Sequence, residues 1–267
     1  MKPSIFCLHK SYRRLVTMLL AIILILPVLL AGIQAYISNE SESQFWSFGY
    51  KFKEHKYRMA VTFIGDYMHY TVFYEFNLTT ALSCCLLIKH CSASLLQFHS
   101  RLKRMDFDAL IQNGFKILND YKMLEENVRL LKKALSMPLC FIILSCILNL
   151  YSVLSYFLSD RNLVFLTVEY IMHSSMGIVV ISSIIICSSD IPESIQNIKE
   201  TAGTLIEKHQ LCTSRRKQDI SFLNRLEKKK IIFLSAGGVI DLKKDLLLSI
   251  AGNLFTYGLL FINLGKH

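Results

Sequence analysis

Glu169 and His173 lie four residues apart inside the apolar run from Asn162 to Ile186. On a helix that spacing sets them one turn apart on one face. An acid and an imidazole in such a run are costly to hold and often functional, because each needs a partner or water. Two readings stay open, a water-filled ligand pocket between helices and a mutually satisfied pair. The pocket is favoured, with Glu169, Tyr170, His173 and Glu75 as its candidate lining. Two ligands do not make a metal site, so neither a metal nor a cofactor is expected. Asp66 and His69, upstream of Glu75, read instead as residues near a membrane surface.

A second pattern is a stripe. Ser249, Asn253, Thr256, Leu260 and Asn263 are spaced by four, three, four and three, which puts them on one helical face. Four of the five are polar, in a segment otherwise made of Leu, Ile, Phe, Ala, Tyr and Gly. Such a stripe on a membrane helix faces protein or water rather than lipid. Helix–helix packing helped by Gly252 and Gly258 is the plainer reading, and pore lining the sharper one. The eight cysteines, Cys7, Cys84, Cys85, Cys91, Cys140, Cys146, Cys187 and Cys212, form no CxxC pair. Most sit in or beside apolar runs as small hydrophobes. There is no P-loop, HExxH or GxSxG, so an enzyme is not expected. Asn77-Leu78-Thr79 fits a glycosylation sequon, but it falls within an apolar run and is discounted.

The elements that must carry these residues are membrane helices. Of 267 residues, 52% are hydrophobic, with a mean hydropathy of +0.39. The apolar residues are gathered into runs of the length that crosses a bilayer as a helix. The net charge of +10 lies between the runs, which fits membrane topology better than a nucleic-acid partner. Five spans are expected, at 15–37, 61–90, 137–158, 162–188 and 245–264. The membrane-embedded part of the second is expected at Tyr70 to Ile88. Segments 1–14, 91–136 and 189–244 are assigned to the cytoplasm, with 38–60 and 265–267 outside. Of the 30 Lys and Arg, 23 fall on the first side and six on the second, with Lys89 at a boundary. The positive-inside rule then gives a cytoplasmic N-terminus and an external C-terminus. A signal peptide is the rival reading of residues 1–37 and leaves the downstream topology unchanged. Residues 91–135 carry Leu124, Val128, Leu131 and Leu135 on one helical face, with a break near Asn113–Gly114. Similar helices are expected over 191–233, interrupted by a TSRRKQD loop.

The segment from Phe233 to Leu264 is similar to the C-terminal signature of arthropod gustatory receptors, of insect and arachnid type. The family pattern is Thr-Tyr, five hydrophobic residues, then Gln-Phe. This chain has Thr256-Tyr257, GLLFI, then Asn263-Leu264. Asn keeps a side-chain amide one methylene shorter, and Leu keeps only the apolar character, so the chain reads as a divergent member. Members have seven spans. The five here match the last five in order and orientation, and a shortened paralogue, a fragment or an incomplete gene model would each account for the difference. The resemblance implies an all-α seven-transmembrane gustatory/odorant-type fold in the plasma membrane. It implies a ligand-gated, non-selective cation channel, assembled as a homo- or hetero-tetramer and opened by a small-molecule tastant. By motif position Asn263 takes the place of an amide ring in the outer pore and Leu260 that of a hydrophobic gate. Thr256 and Tyr257 take the place of the supporting residues below, while Asn253 and Ser249 continue the stripe. An inactive truncated relative, a transporter and a G-protein-coupled receptor are the alternatives.

Overall fold

The computed structural model describes residues 4–37, 45–158, 164–212 and 221–264. Nearly all of them are helical. Helix α1 is Ser4–Ile37. It starts well before the apolar run, because residues 4–14 hold neither Gly nor Pro to stop it. Pro27 lies inside it. Helix α2 is His55–Tyr70. It passes through a π-helical turn, Thr71–Glu75, into α3, Phe76–Arg104. Then come α4, Phe107–Gln112, α5, Gly114–Leu158, α6, Val164–Cys212, and α7, Ser221–Glu227. The chain ends on α8, Asp245–Leu264.

Between α7 and α8 lies the one pair of strands among the described residues. Strands β1, Ser235–Ala236, and β2, Ile240–Asp241, pair antiparallel, with Ala236 opposite Ile240. The turn between them needs glycine. Gly237 and Gly238 have φ of +61° and +73°, a region that side chains with a Cβ disfavour. An all-helical reading passed over this hairpin, whose sequence signal is the Gly-Gly pair itself.

Four described helices are long and apolar enough to cross a membrane: Tyr12–Ile37, His55–Arg104, Gly114–Leu158 and Glu169–Lys208. Helix α8 has the composition of a fifth over its 20 residues. Its described side chains stop at Leu260, which leaves a shorter apolar stretch, Asp245–Leu260. The molecule is thus an all-α protein with membrane-spanning helices. Helix α1 shows why the bilayer is needed: Leu15, Met18, Ile22, Ile25, Leu29 and Ile33 are all more than half exposed. An exposed stripe of that length would be unstable in water and is at home against lipid tails.

The chain divides into two compact units. The first comprises 1–82 and 149–180, the second 83–148 and 181–267. In the first, α1 packs on α2. Ala31 of α1 meets Tyr70 and Tyr74, flanked by Leu30, Phe63, Met172 and Met176.

In the second unit the polar pairs between α3 and α6 rise together along both helices. Lys89 pairs with Asp190, the Ser92 and Ser194 hydroxyls are 3.5 Å apart, and His99 Nε2 is 2.9 Å from the Thr201 hydroxyl. Partner numbers that increase in step mean that the two helices run parallel there. The break expected near Gly114 falls at Asn113. An additional break at Met105–Asp106 had no glycine or proline to announce it. Asp106 caps α4, its carbonyl accepting from the Leu110 N–H at 2.9 Å. Gly114 is required: a Cβ there would come within 2.7 Å of the Phe222 ring of α7.

Glu125 ties this unit together. It accepts from Arg129 Nη2 at 2.8 Å and from Lys229 Nζ at 2.6 Å. Burial pushes its carboxyl up, but the Lys229 and Arg129 hydrogen bonds outweigh that and hold it below the ordinary carboxylate range. A carboxyl lowered by folding stabilises the fold above its unfolded pKa, and that contribution is lost as pH falls through the lowered folded value. Glu125→Gln should therefore loosen the Lys229 segment at neutral pH and matter less at acid pH, as protonation of the native carboxyl dissolves the same ion pairs. Hydrogen exchange over 221–234 at neutral and at acid pH checks this; equal effects at the two would count against the ion pair.

Candidate functional site

In the first unit, the segment before α2, α2 itself, the π turn and the start of α6 bring six chemistry-bearing side chains together. The order runs Trp46, Asp66, His69, Glu169, His173, Tyr74. Trp46 Nε1 donates to Asp66 Oδ1 at 2.9 Å. Its ring centroid is 6.3 Å from that of His69. His69 Nε2 stands 3.3 Å from Glu169 Oε1. That pair is close but poorly aligned, so the buried Nε2 makes no hydrogen bond. Four residues along α6, His173 Nδ1 is 3.0 Å from the Glu169 carbonyl oxygen and 2.8 Å from the Tyr74 hydroxyl. One tautomer donates to the carbonyl, and the other accepts from the tyrosine. The His69 and His173 ring centroids are 5.6 Å apart.

The local fold explains the convergence. Asp66, His69 and Tyr70 share a helical face by three- and four-residue spacing. A regular helix would begin to drift after Tyr70. The π turn inserts one extra residue and re-phases the helix, and it leaves both Tyr70 and Tyr74 buried. Across from them, Glu169 and His173 project together from α6. The partner numbers again rise together, 69 with 169 and 74 with 173, so α2 and α6 run parallel here.

The four candidate lining residues do not behave alike. Glu169 and His173 join the cluster. Tyr170 turns to Tyr156, with ring centroids 4.3 Å apart. Glu75 sits in the π turn, half-buried, and is not among the three groups that converge. His69 and Asp66, set aside as interface residues in the sequence, are part of the arrangement; Asp66 is 6% exposed. The signal that could have found His69 is its spacing from Asp66 and Phe73 on one helical face.

The stripe on α8 is a separate feature. Ser249, Asn253, Thr256 and Leu260 are all exposed, and so are Leu248, Phe255 and Leu259 around the helix. The Ser249 hydroxyl donates to the Asp245 carbonyl at 3.1 Å and the Thr256 hydroxyl to the Gly252 carbonyl at 2.8 Å. Those two groups are satisfied within their own helix, so they tolerate an apolar neighbour as well as water. Tyr257 is half exposed. Asn263 and Leu264 belong to the last turn of α8, and their side chains lie outside the described residues. The TSRRKQD loop falls wholly outside them too.

The class this defines is an all-α membrane protein with a half-buried polar cluster in one unit and an exposed, polar-striped helix in the other. The chain matches no protein-family model and no curated protein sequence.

Proposed function

We propose that this chain is a subunit of a chemoreceptor channel of the gustatory-receptor type, a multi-pass protein of the plasma membrane that admits cations when a small-molecule tastant binds. The observation that carries this reading is α8. It is an apolar helix exposed around most of its surface, with a polar stripe left uncovered by the other described residues. Lipid suits the apolar faces but not the amide of Asn253. Other copies of the chain meeting around a central pore would supply both water for the stripe and protein for its edges. The Thr256-Tyr257 to Asn263-Leu264 motif supports the same assembly, a homo- or hetero-tetramer with related receptors.

In this reading the N-terminus is cytoplasmic and the C-terminus external. A ring of Asn263 amides coordinates partly hydrated cations, and a ring of Leu260 side chains closes the path by dewetting. The tastant binds in the first unit, where Glu169 and His173 offer charge and hydrogen bonds beside Tyr74. It opens the pore to the extent that it prefers the open state. Current recordings in cells with verified surface expression test this. Tastant-evoked cation current supports it. A surface-expressed chain that conducts with no tastant, and stays silent when its gate leucine is removed, contradicts it.

A further inference from the structure

We propose that His69, Glu169 and His173 form a binding site for a divalent transition ion of the zinc class, bridging α2 and α6. The three side chains each offer one ligand atom, and these atoms all lie within 4.8 Å of one another. No third ligand was visible in the sequence, because His69 is a hundred residues upstream of Glu169. The fold supplies it.

The geometry is nearly that of a bound site. A tetrahedral ion with bonds of about 2.0–2.1 Å holds its ligand atoms roughly 3.3 Å apart. His69 Nε2 and Glu169 Oε1 already stand 3.3 Å apart. The third atom lies within 4.8 Å of the other two, so rotamer adjustments of up to about 1.5 Å bring it in. Two imidazoles and a carboxylate are the donor set that suits zinc and its neighbours better than calcium or magnesium, which take oxygen ligands.

A second observation points the same way. His69 Nε2 is buried without a hydrogen-bond partner. A buried ring nitrogen that faces a carboxylate at ion-pair distance, yet outside hydrogen-bond alignment, can take a metal ion as its partner. His173 is prepared in a different way. Its Nδ1 lies 3.0 Å from the Glu169 carbonyl oxygen. In the tautomer whose Nδ1–H donates to that carbonyl, Nε2 carries the lone pair that an ion would take. Tyr74, 2.8 Å from that same Nδ1, and the flanking Phe73 and Tyr70 rings restrict how the imidazoles turn. The side chains of His69 and Glu169 remain about a quarter exposed, which leaves a path for the ion. Three protein ligands leave a fourth position for water. An ion there links two parallel helices; the inference deepens the proposed tastant site, whose ligand would then bind at the ion's open fourth position, and zinc binding is measured without tastant so that the two readings fail separately.

The test is zinc chloride added to the purified full-length chain in lipid nanodiscs. The expected result is one zinc per chain, with X-ray absorption showing nitrogen and oxygen neighbours near about 2.0–2.1 Å. Affinity should fall by more than about tenfold in His69→Ala, Glu169→Gln and His173→Ala. It should stay unchanged in His99→Ala, whose imidazole faces Thr201 instead. Zinc held mainly by sulfur would overturn the proposal. So would binding that persists unchanged in the three variants, or no binding at micromolar zinc. Should a variant fail to fold, the absorption spectrum of the unaltered chain decides alone.

Discussion

Leu260→Ala is expected to leave the chain conducting cations at rest. In the proposed pore, Leu260 is the apolar constriction, and its closed state is held by hydrophobic surface that excludes water. The substitution removes three carbons from each copy, at about 0.8 kcal/mol for each methylene-sized group withdrawn from water. Even one copy's share, about 2 kcal/mol, moves a closed-to-open ratio by roughly thirtyfold. Four copies would move it further. The side chain is 52% exposed in the single chain, so little internal packing is lost and the fold should survive. Asn263→Ala acts differently, because it removes an amide ring rather than a plug. It should change which cations pass more than whether they pass. Cation flux into vesicles carrying each variant separates the two. Equal, low flux in unaltered and Leu260→Ala chains would remove Leu260 from the gate.

Gly65→Ala should destabilise the first unit by about 1.5–6 kcal/mol, the balance of three effects. A Cβ at Gly65 would meet Trp46 ring atoms at 2.2, 2.4 and 2.7 Å, so the indole has to move. Overpacking of that kind costs about 1–3 kcal/mol. Moving the indole also breaks the Trp46 donation to the Asp66 carboxylate, worth about 1.5–3 kcal/mol for a charged acceptor. The better helix propensity of alanine returns at most about 1 kcal/mol. Trp46 is the single tryptophan in the chain, so its fluorescence reports this site alone. The expected result is a red-shifted emission and a lower melting temperature in nanodiscs. Unchanged emission would mean that the indole does not rest on Gly65.

Much of the helical architecture was legible because membrane helices announce themselves. A run such as LVTMLLAIILILPVLLAG leaves little choice but helix, and lipid enforces it. The amphipathic face of Leu124, Val128 and Leu135 likewise places its helix. The long continuous helices were harder to bound. Helix α5 runs from Gly114 to Leu158 through Pro138, and α6 from Val164 to Cys212 through Pro192, so polarity changes along them without a break in the backbone. The Gly-Gly hairpin at 237–238 is local chemistry inside a segment read as an approach to a helix.

The site was half legible. Glu169 and His173 follow from a four-residue spacing that any helix would bring together. His69 does not, because its meeting with Glu169 depends on which helix neighbours α6 and on how a π turn phases α2. Neither is a local property of the sequence. Tyr170 illustrates the opposite error: adjacent in sequence to Glu169, it points elsewhere, to Tyr156. Neighbours along a helix face different directions, so proximity in the chain was a poor guide there.

The central claim is a membrane channel whose last helix runs outward with its polar face on a pore. Orientation is where its rivals differ most, since a G-protein-coupled receptor carries its N-terminus outside and its C-terminus in the cytoplasm. Epitope tags at the two ends of the full chain, probed in intact and in permeabilised cells, measure this directly. The account predicts a C-terminal tag seen in intact cells and an N-terminal tag seen only after permeabilisation. An N-terminal tag accessible from outside, with the C-terminal tag hidden, would contradict it.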